Sequence, residues 1–106
     1  MDAFTVQMTG SAVDDLQDIQ IRFREQIVAA IKTLSANPLV SGTGIKKLKG
    51  FKPPLYRLRS GDYRVLYRIE GKTITIMRVI DRKELEKTIK RLHFEAPAHE
   101  TRKIVR

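Results

Sequence analysis

Between Tyr56 and Arg82 the chain reads YRLRSGDYRVLYRIEGKTITIMRVIDR, and this stretch limits the possible fold more than any other. Apolar and polar residues alternate along it, the period of a half-buried strand. Ser60-Gly61-Asp62 and Glu70-Gly71-Lys72 interrupt the alternation as tight turns. The spacing predicts strands over Leu55–Arg59, Tyr63–Ile69 and Thr73–Ile80, with connections short enough for an antiparallel meander. Side chains alternate along a strand, so Arg57 and Arg59 share a face, as do Arg64, Leu66 and Arg68 on the next strand. Tyr63, Val65, Tyr67 and Ile69 take the opposite face. With Arg78, five arginines are threaded through the predicted sheet. Arginine carries a fixed planar fork of donors that suits phosphate oxygens. The pattern points to a sheet that holds a nucleic-acid backbone. The plainer alternative is a solvated face with ion pairs to Asp62, Glu70 and Asp81.

The flanking elements supply a core for such a sheet. Phe4, Val6 and Met8 alternate with Thr5 and Gln7, which predicts a strand over residues 3–8. Thr9-Gly10 ends it, and Ser11 is the expected N-cap of a helical stretch running to Ala36, with a break near Ile19–Arg22. Val13, Leu16 and Ile19 form one apolar stripe, and Phe23, Ile27, Ile31 and Leu34 another, as expected of two antiparallel helices on a sheet. Asn37-Pro38 stops the second helix. Residues 39–54, LVSGTGIKKLKGFKPP, read as a loop pinned to the core by Ile45, Leu48 and Phe51. Asp81 reads as an N-cap, with Glu84 three residues on, for a helix over Arg82–Leu92 with Leu85, Ile89 and Leu92 on one side. The expected fold is α+β: a small antiparallel sheet of about four strands packed against two N-terminal helices, plus a C-terminal helix. Residues 1–93 form the domain. Residues 94–106 form a polar tail expected to be mobile or held by a partner.

Charge narrows the function. Lys and Arg number 21 against 12 Asp and Glu, a formal net charge of +9. Residues 2–31 carry the acids Asp2, Asp14, Asp15, Asp18 and Glu25 against Arg22 and Arg24. Residues 46–64 carry Lys46, Lys47, Lys49, Lys52, Arg57, Arg59 and Arg64 against Asp62 alone. Such asymmetry suits a polyanion or an acidic protein partner. There is no cysteine, which excludes disulfides and thiolate metal sites and fits a reducing cytoplasm. No apolar run approaches a bilayer span, and the N-terminus lacks the layout of a secretion signal, so no membrane role is expected. His93 and His99 have no third ligand in view, and neither a metal nor a small-molecule cofactor is expected.

Strand, helical hairpin, basic loop, the block LYRLRSGDYRVLYRI and a last strand ending VIDRKEL together resemble the RelE/ParE toxin superfamily, over roughly residues 3–92. The specific part is R-x-G-D-Y-R-V-x-Y, Arg59–Tyr67. The nearer branch is similar to the RelE-type ribosome-dependent mRNA interferases of type II toxin–antitoxin systems. The resemblance implies a metal-independent endoribonuclease that cuts mRNA on the ribosome by attack of a ribose 2′-hydroxyl on the adjacent phosphate, inhibiting translation. It implies a cognate antitoxin as partner, besides ribosome and mRNA. Carried over by position, Arg64 would contact the scissile phosphate, and Arg57 and Arg59 are the basic positions of the preceding strand. Arg82 or Lys83 matches a basic position at the start of the C-terminal helix. Lys46, Lys47, Lys49, Lys52 and Arg78 are the expected RNA contacts around this set. The chain departs from the pattern in having no tyrosine after Tyr67, and Asp81 where other branches place histidine.

Cleavage without metal needs an activated 2′-hydroxyl, stabilised charge on the non-bridging oxygens and a proton or cation at the leaving oxygen. Arg64 with Arg57 or Arg59 meets the second need. Arginine stays protonated and meets the first poorly. Lys49, Lys52, Lys83 and Glu86 are the candidate bases. Two other functions fit the same fold: a ParE-type inhibitor of DNA gyrase, and a non-catalytic module that binds antitoxin or RNA.

Overall fold

The computed structural model describes residues 3–38, 44–94 and 101–103, with residues 93, 94 and 101–103 described by backbone alone. Strand β1 (Thr5–Thr9) leads into helices α1 (Gly10–Gln17) and α2 (Ile21–Leu34). Then come β2 (Ile45–Leu48), β3 (Leu55–Ser60), β4 (Tyr63–Glu70) and β5 (Thr73–Asp81). A 3₁₀ turn (Arg82–Glu84) opens into α3 (Leu85–Phe94), and β6 (Thr101–Lys103) follows. The fold is α+β, as the patterning implies.

The sheet is larger than expected and mixed. Among the described residues it has six strands in the order β2-β3-β4-β5-β1-β6. The meander β3–β4–β5 is antiparallel, whereas β1 runs parallel to β5, with Val6 opposite Ile74 and Met8 opposite Ile76. Parallel neighbours require a long crossover, and everything from α1 to β4 lies between these two. Strand β2 falls where a loop was expected. Ile45 faces one layer of the core and Leu48 the other, so its apolar residues sit three apart and hide the period of two. Strand β6 pairs antiparallel with β1, Met8 opposite Arg102, inside the segment read as a tail. Residues 95–100 and 104–106, and with them His99, lie outside the described residues.

The sheet is covered on both faces. On one, α1 and α2 bury Leu16, Ile27, Ile31 and Leu34 against Met8, Leu58, Val65, Tyr67, Ile74, Ile76 and Val79. On the other, α3 sets Leu85, Ile89 and Leu92 against Leu55, Leu66, Met77 and Ile80, with Leu48 and Phe51 at the margin. Burying such side chains contributes roughly 1.5–3 kcal/mol each before entropy is charged against it. The three tyrosines belong to the first layer. Tyr67 is fully buried, stacks on Tyr56 with centroids 5.5 Å apart, and donates its hydroxyl proton to the Pro38 carbonyl at 2.7 Å. Tyr63 lies 6.0 Å from Phe23. Packing therefore occupies the rings that base stacking would need.

Helix α1 is capped two residues earlier than expected. Thr9, not Ser11, is the N-cap: its hydroxyl accepts from the Ala12 N–H at 3.1 Å and donates to the Met77 carbonyl at 2.8 Å. One side chain thus satisfies a helix-end donor and fastens α1 to β5. Asp81 caps the 3₁₀ turn as expected, accepting from the Lys83 N–H at 2.8 Å.

Candidate nucleic-acid interface

The register of β3 and β4 assembles the site. Arg59 stands directly opposite Arg64, and Arg57 opposite Leu66, one diagonal step away. Like charges placed opposite each other across a strand pair are destabilising. The turn at Ser60–Tyr63 makes the pairing obligatory. Gly61 has φ +58, a backbone conformation that glycine adopts without a Cβ clash. Gly44, with φ +86, accepts from the Arg59 N–H at 3.1 Å, and a Cβ there would lie 3.3 Å from that of Arg59. Its lack of a side chain lets the chain entering β2 lie against Arg59.

Arg64 is the centre of this set. It is only 9% exposed, yet carries a full charge. One terminal nitrogen donates to the carbonyls of Gly61 at 2.9 Å and Tyr63 at 3.0 Å. Burial first, then the charges of Arg57, Arg59 and Arg82, hold its guanidinium below the ordinary arginine value, and Asp62 pulls the other way. Two backbone carbonyls offset part of this cost; four cations facing one acid do not. Such an arrangement is poised to take up an anion, which would relieve the repulsion as it binds.

Arg82 reaches the cluster from the far end of β5. Its backbone N–H donates to the Asp62 carbonyl at 2.8 Å, and its side chain approaches the Asp62 carboxylate at 3.8 Å. Both side chains of that pair are largely exposed, so the pair is weak and leaves Arg82 available. Of the two basic residues at this position, Arg82 is the one whose charge bears on Arg64; Lys83 and Glu86 are exposed and outside that set. Lys46 pairs with Arg57 and points to the arginine face, whereas Lys47 pairs with Tyr56 and points to the opposite one. Lys49 and Lys52 are exposed on the connection to β3. The structure thus brings Arg57, Arg59, Arg64 and Arg82 together, sets Lys46 beside Arg57, and separates Lys47 from them.

Arg78 is paired within the fold. Its Nε and a terminal nitrogen donate to the two carboxylate oxygens of Asp15 at 2.7 and 3.0 Å. Asp15 also accepts from the Val79 N–H at 2.9 Å. This carboxylate closes the stretch of β5 that extends past the end of β1, and locks α1 against it. Arg78, expected as an RNA contact, makes a bidentate ion pair with Asp15. Sequence offers no sign of it, since the partners lie 63 positions apart.

Arg68 shares the Arg64 face in the sequence, but the family resemblance gives it no role. It lies on the arginine face opposite Leu55, its guanidinium 5.9 Å from the centre of the Phe51 ring. The Nε atoms of Arg57 and Arg68 are both buried without a hydrogen-bond acceptor among the described residues. The i, i+4 spacing from Arg64 along one strand was the available signal. No cluster of three or more His, Cys, Asp or Glu able to hold a metal occurs among the described residues, nor any helix long and apolar enough to cross a membrane.

A mixed sheet carrying a basic face, backed by a helical hairpin, is the architecture of a class of small bacterial and archaeal toxins. The family model for the ParE toxin of type II toxin–antitoxin systems matches residues 6–86. The structure is similar to the RelBE2 toxin–antitoxin complex of Mycobacterium tuberculosis (34% identity, TM-score 0.64, covering 76% of this chain and 99% of that one). It is similar to the archaeal RelE–RelB complex of Pyrococcus horikoshii (27%, 0.66, 76% and 96%) and to the RelB–RelE complex of Methanococcus jannaschii (30%, 0.64, 76% and 95%). No curated protein matches the chain. The chain belongs to the ParE toxin family, within the RelE/ParE superfamily of type II toxin–antitoxin toxins.

Proposed function

We propose that this toxin is a ribosome-dependent mRNA endoribonuclease that inhibits translation and is neutralised by a cognate antitoxin. The observation that carries the reading is the uncompensated guanidinium cluster of Arg57, Arg59, Arg64 and Arg82 around the buried Arg64. Its similarity to structures named as RelE–RelB complexes supports the antitoxin as partner. Arg64 and Arg59 hold the non-bridging oxygens of the scissile phosphate, and Arg57 the adjoining part of the strand. Charge builds on those oxygens as the 2′-oxygen attacks, so donors fixed in advance stabilise the transition state more than the ground state. Arg82, an exposed member of the cluster, supplies a cation for the leaving 5′-oxygen. Lys83, next to Arg82 in sequence, and Glu86, four positions on, are the remaining candidates for the proton transfers, with Lys49 and Lys52 on the loop side. The antitoxin covers the same face with acidic side chains, which makes inhibition and substrate binding mutually exclusive.

Induced expression with mapping of mRNA 5′ ends tests this, comparing wild type with Arg64→Ala. Growth arrest with new ends inside translated codons, both lost in the variant, is the expected result. A second reading, inhibition of DNA gyrase, is favoured by the matching ParE family model and by the absence of a tyrosine after Tyr67. Arrest with DNA damage and intact mRNA would select it and discard the nuclease. Expression without arrest would leave a non-catalytic binding module.

A further inference from the structure

We infer that Arg68, next to Arg57, is a second phosphate-holding position, which extends the site around Arg64 into a track for a neighbouring phosphate of a single-stranded RNA. The inference rests on the RNA reading above but concerns binding, not cleavage. Arg64 and Arg68 lie on the same face of β4, four residues and therefore about 13 Å apart at roughly 3.3 Å per residue. Arg57 sits between them, opposite Leu66, on the adjacent strand. The three arginines zigzag from β4 to β3 and back, at intervals that long side chains can match to successive phosphates of an extended strand.

Two independent observations mark this end as a site. First, the Nε donors of Arg57 and Arg68 are buried and meet no acceptor among the described residues. Buried donors are almost always paired; these two lie side by side on one face, whereas Arg24 Nε, also without an acceptor among the described residues, lies alone on α2. Second, Phe51 holds the Arg68 guanidinium at 5.9 Å from its ring centre. A stacked guanidinium is already oriented, and loses little freedom when it takes up a phosphate. Lys46, exposed and opposite Arg57, adds charge along the same margin.

The test uses synthetic RNA with 2′-O-methyl sugars, which binds but cannot be cut by 2′-hydroxyl attack. A dinucleotide offers one phosphodiester and a tetranucleotide three. Affinities for the purified toxin are measured by calorimetry or NMR titration at low salt. Wild type is expected to gain about tenfold or more from dinucleotide to tetranucleotide, the scale of an added charge-assisted contact. Arg68→Gln is expected to keep the dinucleotide affinity and lose most of that gain, with the tetranucleotide salt slope falling by about 0.7. Arg68→Lys, which retains charge without the planar fork, should keep the salt slope and recover part of the gain, and would separate this role from simple misfolding. Equal length gains in wild type and Arg68→Gln would overturn the inference. So would a loss confined to an acidic peptide of matched charge, which would assign Arg68 to a protein partner. Length-dependent binding with no mRNA cuts in cells would sink the nuclease and leave the track; cuts with unaltered Arg68→Gln binding would do the reverse.

Discussion

The opposition of Arg59 and Arg64 should cost the fold measurable stability. In the register of β3 and β4 these residues face each other directly, and cross-strand partners on one face have Cβ atoms about 5 Å apart. Two guanidiniums taken at about 6 Å repel by ~2.8 kcal/mol at an effective dielectric of 20 and by ~0.7 kcal/mol in bulk water. Arg64 is buried but Arg59 is exposed, which places the interaction near the lower figure, at about 1 kcal/mol. Replacing Arg64 by Met keeps an unbranched stem in the same space and forfeits the donors to Gly61 and Tyr63. Those carbonyls lie at a turn where water can replace them, at about 1 kcal/mol. Arg64→Met should therefore change the unfolding free energy by no more than about 1 kcal/mol, where replacing a well-paired buried charge would cost 3–5 on the same scale. The decisive quantity is the coupling in a double-mutant cycle with Arg59→Gln. Followed by urea unfolding at ~20 mM salt, Arg64→Met should be less favourable by about 1 kcal/mol in the Arg59→Gln background than in wild type. The coupling should shrink at ~0.15 M salt, where the Debye length is about 8 Å. A coupling of zero, or one showing Arg59 and Arg64 supporting each other, would refute the account of an uncompensated cluster.

Two further outcomes follow from contacts outside the cluster. Asp15→Ala removes both oxygens that hold Arg78 and leaves the Val79 N–H without its acceptor; a loss of about 2–4 kcal/mol is expected in urea unfolding, and a loss below ~1 would show that this ion pair does not fasten α1 to β5. Burial raises the Tyr67 phenol above its ordinary value of 10.0. The neutral form is favoured in the folded state, so its contribution is fully present below pH 10 and is lost as pH rises above it. The slope reaches at most about 1.4 kcal/mol per pH unit. Tyr67→Phe should flatten the fall in stability between pH 10 and 11 while costing about 1–2 kcal/mol at pH 7 through the unpaired Pro38 carbonyl; identical alkaline slopes in the two proteins would contradict the assignment.

Much of the fold is readable where one face of an element is buried. The tyrosine face of β4, the alternation of β1 and the helix break near residues 18–20 follow from periods of two and 3.6 that burial imposes. Strand β2 escapes that logic because it is covered from both sides, so Ile45 and Leu48 fall out of alternation. Arg57, Arg59 and Arg64 are legible as a set because a tight turn joins their strands and fixes the register locally. Arg78 carries the same residue type in the same kind of strand and has another fate, since Asp15 on a distant helix reaches it.

Local pattern was enough for the class of fold and for the sharing of faces by Arg57 with Arg59 and by Arg64 with Arg68, whereas the emphasis on Arg64 came from the family resemblance. The first two depend on contacts between residues close in the chain, where alternation and turn chemistry leave one solution. The tertiary structure alone decided the parallel pairing of β1 with β5, the placement of α3 over the arginine face, and which cations are compensated. Each depends on an encounter between segments tens of residues apart. Local pattern carries no record of such encounters, because the energy that selects them appears only when both partners are buried together.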